Sequence, residues 1–199
     1  MQGEVKKKDA RQRAIDQIHG IAVTAFAGHK IEQRLNQGMF RSWRCRRDGT
    51  WAYGFDVTTI PGTLVITGDI GELIVQRSED MISWASGSIH SIDYFAEKVP
   101  RSMETGEFCV EVAKEFLSEL RQDLDENGYL NEKKRDAIAE LRNILDGDEI
   151  ADFPTELYLS GLIDGCDMPN LKNYTSNFLW CREALIWFLE NLDKEQPCK

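Results

Sequence analysis

The chain has 199 residues, 42% hydrophobic and 29% charged, enough for a real core in one domain, or in one domain with a helical annex. No run approaches the length of a membrane span and the N-terminus lacks a signal peptide's apolar core, so a cytoplasmic protein with no membrane partner is expected. Residues 1–101 carry 14 Lys+Arg against 12 Asp+Glu, whereas residues 102–199 carry 10 against 22, so a formal +2 and −12 make up the net −10 and the second half repels nucleic acid and attracts basic surfaces.

In chain order, Lys6–Leu35 opens on a basic run, Lys6, Lys7, Lys8, Arg11 and Arg13, which reads as a solvated terminus in preference to a phosphate grip. Ile15, Ile18, Ala22 and Phe26 follow at helical spacing, predicting a helix from near Asp9, with Gly20 and Gly28 weakening its later turns. His19 and His29 lie too far apart for one helical face and show no carboxylate partner by pattern.

Phe40–Val75 organises the chain. Trp43 and Cys45 alternate with Arg44 and Arg46, and Asp48-Gly49 then suits a tight hairpin turn. Trp51, Tyr53, Phe55 and Val57 are expected to share the face of one strand. Pro61-Gly62 fits a type II turn, and Gly68–Gly71 joins the β-rich runs Thr63–Thr67 and Glu72–Arg77. The expectation is an α+β fold: a four-stranded antiparallel meander with one aromatic face that needs a helical cover.

Ser78 is the expected N-cap of a short helix through Ala85, and a second helical segment, Ser91–Val99, ends before Pro100. This pair is expected on the aromatic face. The polar stretch Arg101–Gly106 coincides with the charge shift, so 1–101 is read as a sheet module and 102–199 as an acidic helical module, the two packing separately or as one domain. In Glu107–Leu124 the apolar stripe is Phe108, Cys109, Val112, Phe116, Leu120 and Leu124. Asn131 caps a helix over Glu132–Leu145 that Gly147 ends, and Pro154 opens a short helix through Ile163. The last helix, Ser176–Leu192, is apolar nearly all round, which places it at the centre of the helical module or in a homodimer seam.

Of the local motifs, Asp123–Asn131 resembles an EF-hand loop. Asp123, Asp125, Asn127, Gly128 and Leu130 meet its demands at positions 1, 3, 5, 6 and 8, but Lys134 occupies position 12 where a bidentate Glu belongs. A helix–loop–helix turn with Asn127-Gly128 as C-cap is the preferred reading, so no metal and no cofactor are expected. Arg41, Arg44 and Arg46 beside Trp43 and Trp51 form an anion-binding candidate, set against an edge strand protected by charge. His90, flanked by Ser88, Ser91 and Asp93, is a pocket-lining candidate without a defensible triad. Cys45, Cys109, Cys166, Cys181 and Cys198 form no zinc-ligand spacing with the three histidines, and Cys166 among Asp164 and Asp167 is a poor nucleophile.

The stretch YGFDVTTIPGTLVITGDIGELIVQR, with the following DMISWASGSI and DYFAEKV, is similar to small uncharacterised proteins encoded by bacteriophages and prophages. That resemblance covers 41–99 and implies context: such acidic proteins often inhibit host defence, CRISPR systems among them, by binding. A non-enzymatic inhibitor of a bacterial host protein or nucleoprotein complex, not touching nucleic acid itself, is therefore expected. Glu111, Glu115, Glu119, Asp123 and Asp125 on one helix are the expected partner contacts. The alternative is a small-ligand-binding protein or enzyme using the polar face of the sheet and His90.

Overall fold

The computed structural model describes residues 8–77, 79–148, 150–163 and 168–192. Lys6, Lys7, the N-cap expected at Ser78, the run Asp164–Asp167 with Cys166, and Cys198 lie outside the described residues. The chain divides into two compact units, residues 14–106 with 174–199, and residues 1–13 with 107–173.

The first unit is built on a sheet. Helix α1 (Ala10–Phe26), whose residues up to Arg13 count with the second unit, begins where the Asp9 carboxylate accepts the Gln12 amide at 2.8 Å and stops two residues before Gly28. Beyond Gly28, where no strand was expected, the chain forms an edge strand, β1 (Lys30–Gln37), which pairs antiparallel with β2 (Phe40–Arg46). The sheet therefore has five strands, not four, in the order β1, β2, β3 (Phe55–Ile60), β4 (Thr63–Gly68) and β5 (Gly71–Gln76). Only Ile31 of β1 is partly buried, so its sequence carries no period-two apolar signal.

Gly62, at φ +76°, closes the β3–β4 hairpin beside Pro61 as expected. The turn at Asp48-Gly49 is not itself the hairpin: β3 starts at Phe55, and Trp51 and Tyr53 lie in the connection, half exposed, rather than on a strand face. Tyr53 adopts φ +57°, held there by its amide on the Asp69 carboxylate at 2.8 Å and its ring stacked 5.4 Å from Trp180. Gly68 is required where this connection returns, because a Cβ there would lie 2.3 Å from the Gly54 carbonyl oxygen.

The inner face of the sheet follows from the register. Trp43, Val57, Ile66 and Leu73 form one row across it, with Cys45 opposite Phe55 and Leu64 opposite Val75, all buried. Helices α2 (Met81–Ser88) and α3 (Ile92–Ala96) contribute Met81, Ala85, Ile89 and Phe95 to this core. Asp80 caps α2 by accepting the Ile82 and Ser83 amides. The larger cover is α7 (Ser176–Leu192), which brings Phe178, Leu179, Leu185 and Phe188, with Phe188 5.1 Å from Trp43. The last helix thus joins the sheet core, not the helical module.

The second unit holds α4 (Val110–Glu126), α5 (Glu132–Asp146), a 3₁₀ turn at Ile150–Asp152 and α6 (Phe153–Leu159). The chain leaves the sheet unit through β6 (Gly106–Phe108), close to the charge shift, and returns through β7 (Lys172–Tyr174), which pairs with it. The core is Ala113, Leu117, Leu124, Ile138, Leu141, Leu145, Phe153 and Leu157, with Leu162 and Leu171. The expected stripe on α4 is rotated by one residue: Ala113 and Leu117 are fully buried while Val112 and Phe116 are half-buried. Asn131 caps α5 by accepting the Lys134 amide at 2.9 Å, and Gly147 closes its end. Among the described residues, no helix is long and apolar enough to cross a membrane.

Candidate protein-docking site

The basic strand does not assemble an anion site. Strand alternation puts Arg41 on the inner side of β2 and Arg44 and Arg46 on the outer side. Arg41 pairs with Asp80 at 2.9 Å, and this guanidinium is the main reason the Asp80 carboxyl is held below its usual range. Arg44 grips Asp56 through two bonds of 2.8 Å and lies 5.1 Å from the Trp51 ring centroid. Arg46 is exposed at the strand end.

The EF-hand-like run is a helix end. Asp123 and Asp125 are still within α4, the Asn127 amide donates to the Asp123 carbonyl at 3.1 Å, and the Asn127 side chain bonds the same carbonyl at 2.8 Å. Gly128, at φ +70°, lets the Tyr129 and Leu130 amides fold back onto the Leu124 carbonyl at 2.8 and 2.9 Å. Helical spacing splays the two carboxylates instead of aiming them at one point. Among the described residues, no group of three or more His, Cys, Asp or Glu could hold a metal ion.

The histidines differ from one another. His90 is exposed after α2, and its neighbour Asp93 is engaged by the Tyr174 hydroxyl. His19 does have a carboxylate partner, Glu183, at 2.7 Å, one that no local pattern reveals because the two are 164 residues apart. His29 is buried among Phe26, Phe55 and Trp187 and donates from Nε2 to the Tyr53 carbonyl at 3.1 Å, while its Nδ1 has no hydrogen-bond partner. Burial lowers its pKa from the ordinary 6.5, with Arg47 adding to the effect and the Tyr53 bond opposing it. The unfolded chain therefore binds this proton more readily, so the stability His29 contributes is full above 6.5 and is lost as pH falls toward the lowered folded value. Urea midpoints followed between about pH 7.5 and 5.5 are expected to drop less for His29→Phe than for the native chain; parallel slopes would contradict this assignment.

Of the expected partner contacts on α4, Glu111, Glu119, Asp123 and Asp125 are exposed. Glu115 is committed elsewhere: its carboxylate accepts the Ala10 amide and Arg13, each at 2.8 Å, anchoring the first turn of α1.

The helical unit offers instead a groove of about 630 Å³ between α5 and α6. Amphipathic spacing builds it. Ala137, Leu141 and Ile144 on α5 and Leu159 on α6 form an apolar floor, while Glu132, Asp136 and Glu140 follow one another at four-residue intervals along one rim. Glu156 stands on α6, and Lys133 is the single cation among the lining residues. Leu159 is 66% exposed and adjoins Tyr158 at 54%, large apolar side chains with no cover. Residues 107–173 contain 17 Asp+Glu and 7 Lys+Arg, a formal −10 equal to that of the whole chain, so the rim sits in the chain's concentrated negative field. The groove can hold an apolar segment flanked by cations. Sequence reasoning missed Asp136, Glu140, Glu156 and Leu159; the available signal was the four-residue acidic repeat bordering the apolar stripe of α5. No family model, curated protein or solved structure matches the chain.

Proposed function

We propose that this chain is a non-enzymatic binding protein whose helical unit docks on a basic surface of another protein. The observation that supports the reading is the α5–α6 groove, an apolar floor bordered by Glu132, Asp136, Glu140 and Glu156 within a segment that carries the chain's net charge. Exposed Glu111, Glu119, Asp123 and Asp125 on α4 add to the long-range attraction. The resemblance of the sheet segment to phage-encoded proteins makes a bacterial protein the first partner to try, with inhibition by occlusion as the consequence of docking.

The test is affinity capture from bacterial lysate with the native chain and with Asp136→Lys/Glu140→Lys as parallel baits. A stoichiometric partner that weakens with salt and is lost from the variant supports electrostatic docking. Identical captures by both baits, or an absence of any stoichiometric partner, overturn it.

A further inference from the structure

We infer that the occupant of the α5–α6 groove is an amphipathic α-helix of about three turns, apolar on one face and lysine- or arginine-rich on its flanks; this rests on the docking function proposed above and specifies its partner.

The length comes from the lining. Glu132, Lys133, Asp136, Ala137, Glu140, Leu141 and Ile144 of α5 border the groove, and the twelve steps of 1.5 Å from the first to the last extend about 18 Å. A helix of about twelve residues laid along α5 covers that distance.

The conformation comes from the walls. Both are helices, so the groove has no strand edge to extend. An extended peptide entering it would bury its own backbone groups without partners, whereas a helix arrives with them satisfied. The apolar floor of Ala137, Leu141, Ile144 and Leu159 then takes side chains at positions i, i+3 or i+4, and i+7 of the incoming helix. Ala137, the smallest floor residue, leaves room for a large side chain at that point.

The charge comes from the rim. Glu132, Asp136 and Glu140 form a line at helical repeat, which basic residues at the same repeat on one flank of the incoming helix would match. Glu156 on α6 contributes a fourth carboxylate, and Lys133 limits the cation density tolerated near the start of α5. An acidic helix of equal hydrophobicity would meet like charge along most of its length.

Three synthetic peptides of about fourteen residues decide the matter: a Leu/Lys amphipathic helix, its Leu/Glu counterpart, and a scrambled Leu/Lys sequence with no apolar face. Each is titrated into the full chain by fluorescence anisotropy, with peptide helicity followed by circular dichroism. The basic amphipathic peptide is expected to bind at least tenfold more tightly than either control and to gain helicity on binding. Asp136→Lys/Glu140→Lys is expected to weaken it at least tenfold, while Glu111→Lys/Glu119→Lys on α4, the same charge change elsewhere in the unit, leaves most of the affinity intact. Both pairs of residues are exposed, so matched melting curves can confirm that either variant is folded. Equal binding of the scrambled peptide, no gain in helicity, or equal loss in the α4 variant overturns the helical occupant. If the peptides fail while a captured partner still depends on Asp136 and Glu140, the docking function stands and only its helical form falls.

Discussion

Glu183→Ala is expected to lower the free energy of unfolding by about 3–5 kcal/mol, because it strands a guanidinium inside the sheet unit. Arg182 and Glu183 are only 7% and 5% exposed. Arg182 donates to Glu183 at 2.9 Å and to the Ile89 carbonyl at 3.0 Å, while the other Glu183 oxygen takes His19 at 2.7 Å. Desolvation already lowers the Arg182 pKa, which identifies the charge as costly to bury and the carboxylate as its compensation. The double change Arg182→Met/Glu183→Met removes both charges and keeps the volume, so it is expected to recover most of the loss. Urea unfolding with unchanged slope measures the difference. A single variant within about 1 kcal/mol of native would mean that water or another group reaches Arg182.

Phe26→Ala is expected to be as severe, about 3–5 kcal/mol, for an apolar reason. Phe26 is 1% exposed, and its ring is the hub of an aromatic cluster, with centroids of His29, Phe55, Trp187 and Trp180 at 5.3, 5.5, 6.0 and 6.1 Å. These side chains come from α1, the following turn, β3 and α7, so collapse of the cavity would require movement in several elements at once. For a chain of this size the loss corresponds to a fall in Tm of about 6–20 °C, whereas Phe26→Leu, which refills much of the volume, should fall less. Equal shifts for the two variants would show that ring geometry, not volume, governs the site.

Strands β2, β4 and β5 were legible because Trp43/Cys45, Leu64/Ile66 and Leu73/Val75 alternate with outward residues, and because Pro61-Gly62 and Gly68–Gly71 punctuate them. Helix α7 showed its extent, Ser176–Leu192, but apolar periodicity says only that a helix is buried, not what it is buried against. Strand β1 was illegible for the converse reason: an edge strand satisfies its backbone on β2 while burying almost nothing. The groove escaped notice because its floor combines α5 with Leu159 of a seven-residue helix, and no single-helix pattern contains both. The acidic line on α4 was readable by spacing, yet the role of Glu115 depends on Ala10, 105 residues earlier.

The return of α7 to the sheet unit also sets a timetable. Gln76 ends the sheet and Ser176 begins the helix that covers it, so 99 residues, first α2 and α3 of the same unit and then the whole of 107–173, are synthesised in between. At about 5–20 residues per second that interval is roughly 5–20 s. During it Trp43, which packs on Phe188 in the finished fold, lacks that cover on the nascent chain. The inner face of the sheet is therefore completed only when the last helix of the described chain has been made.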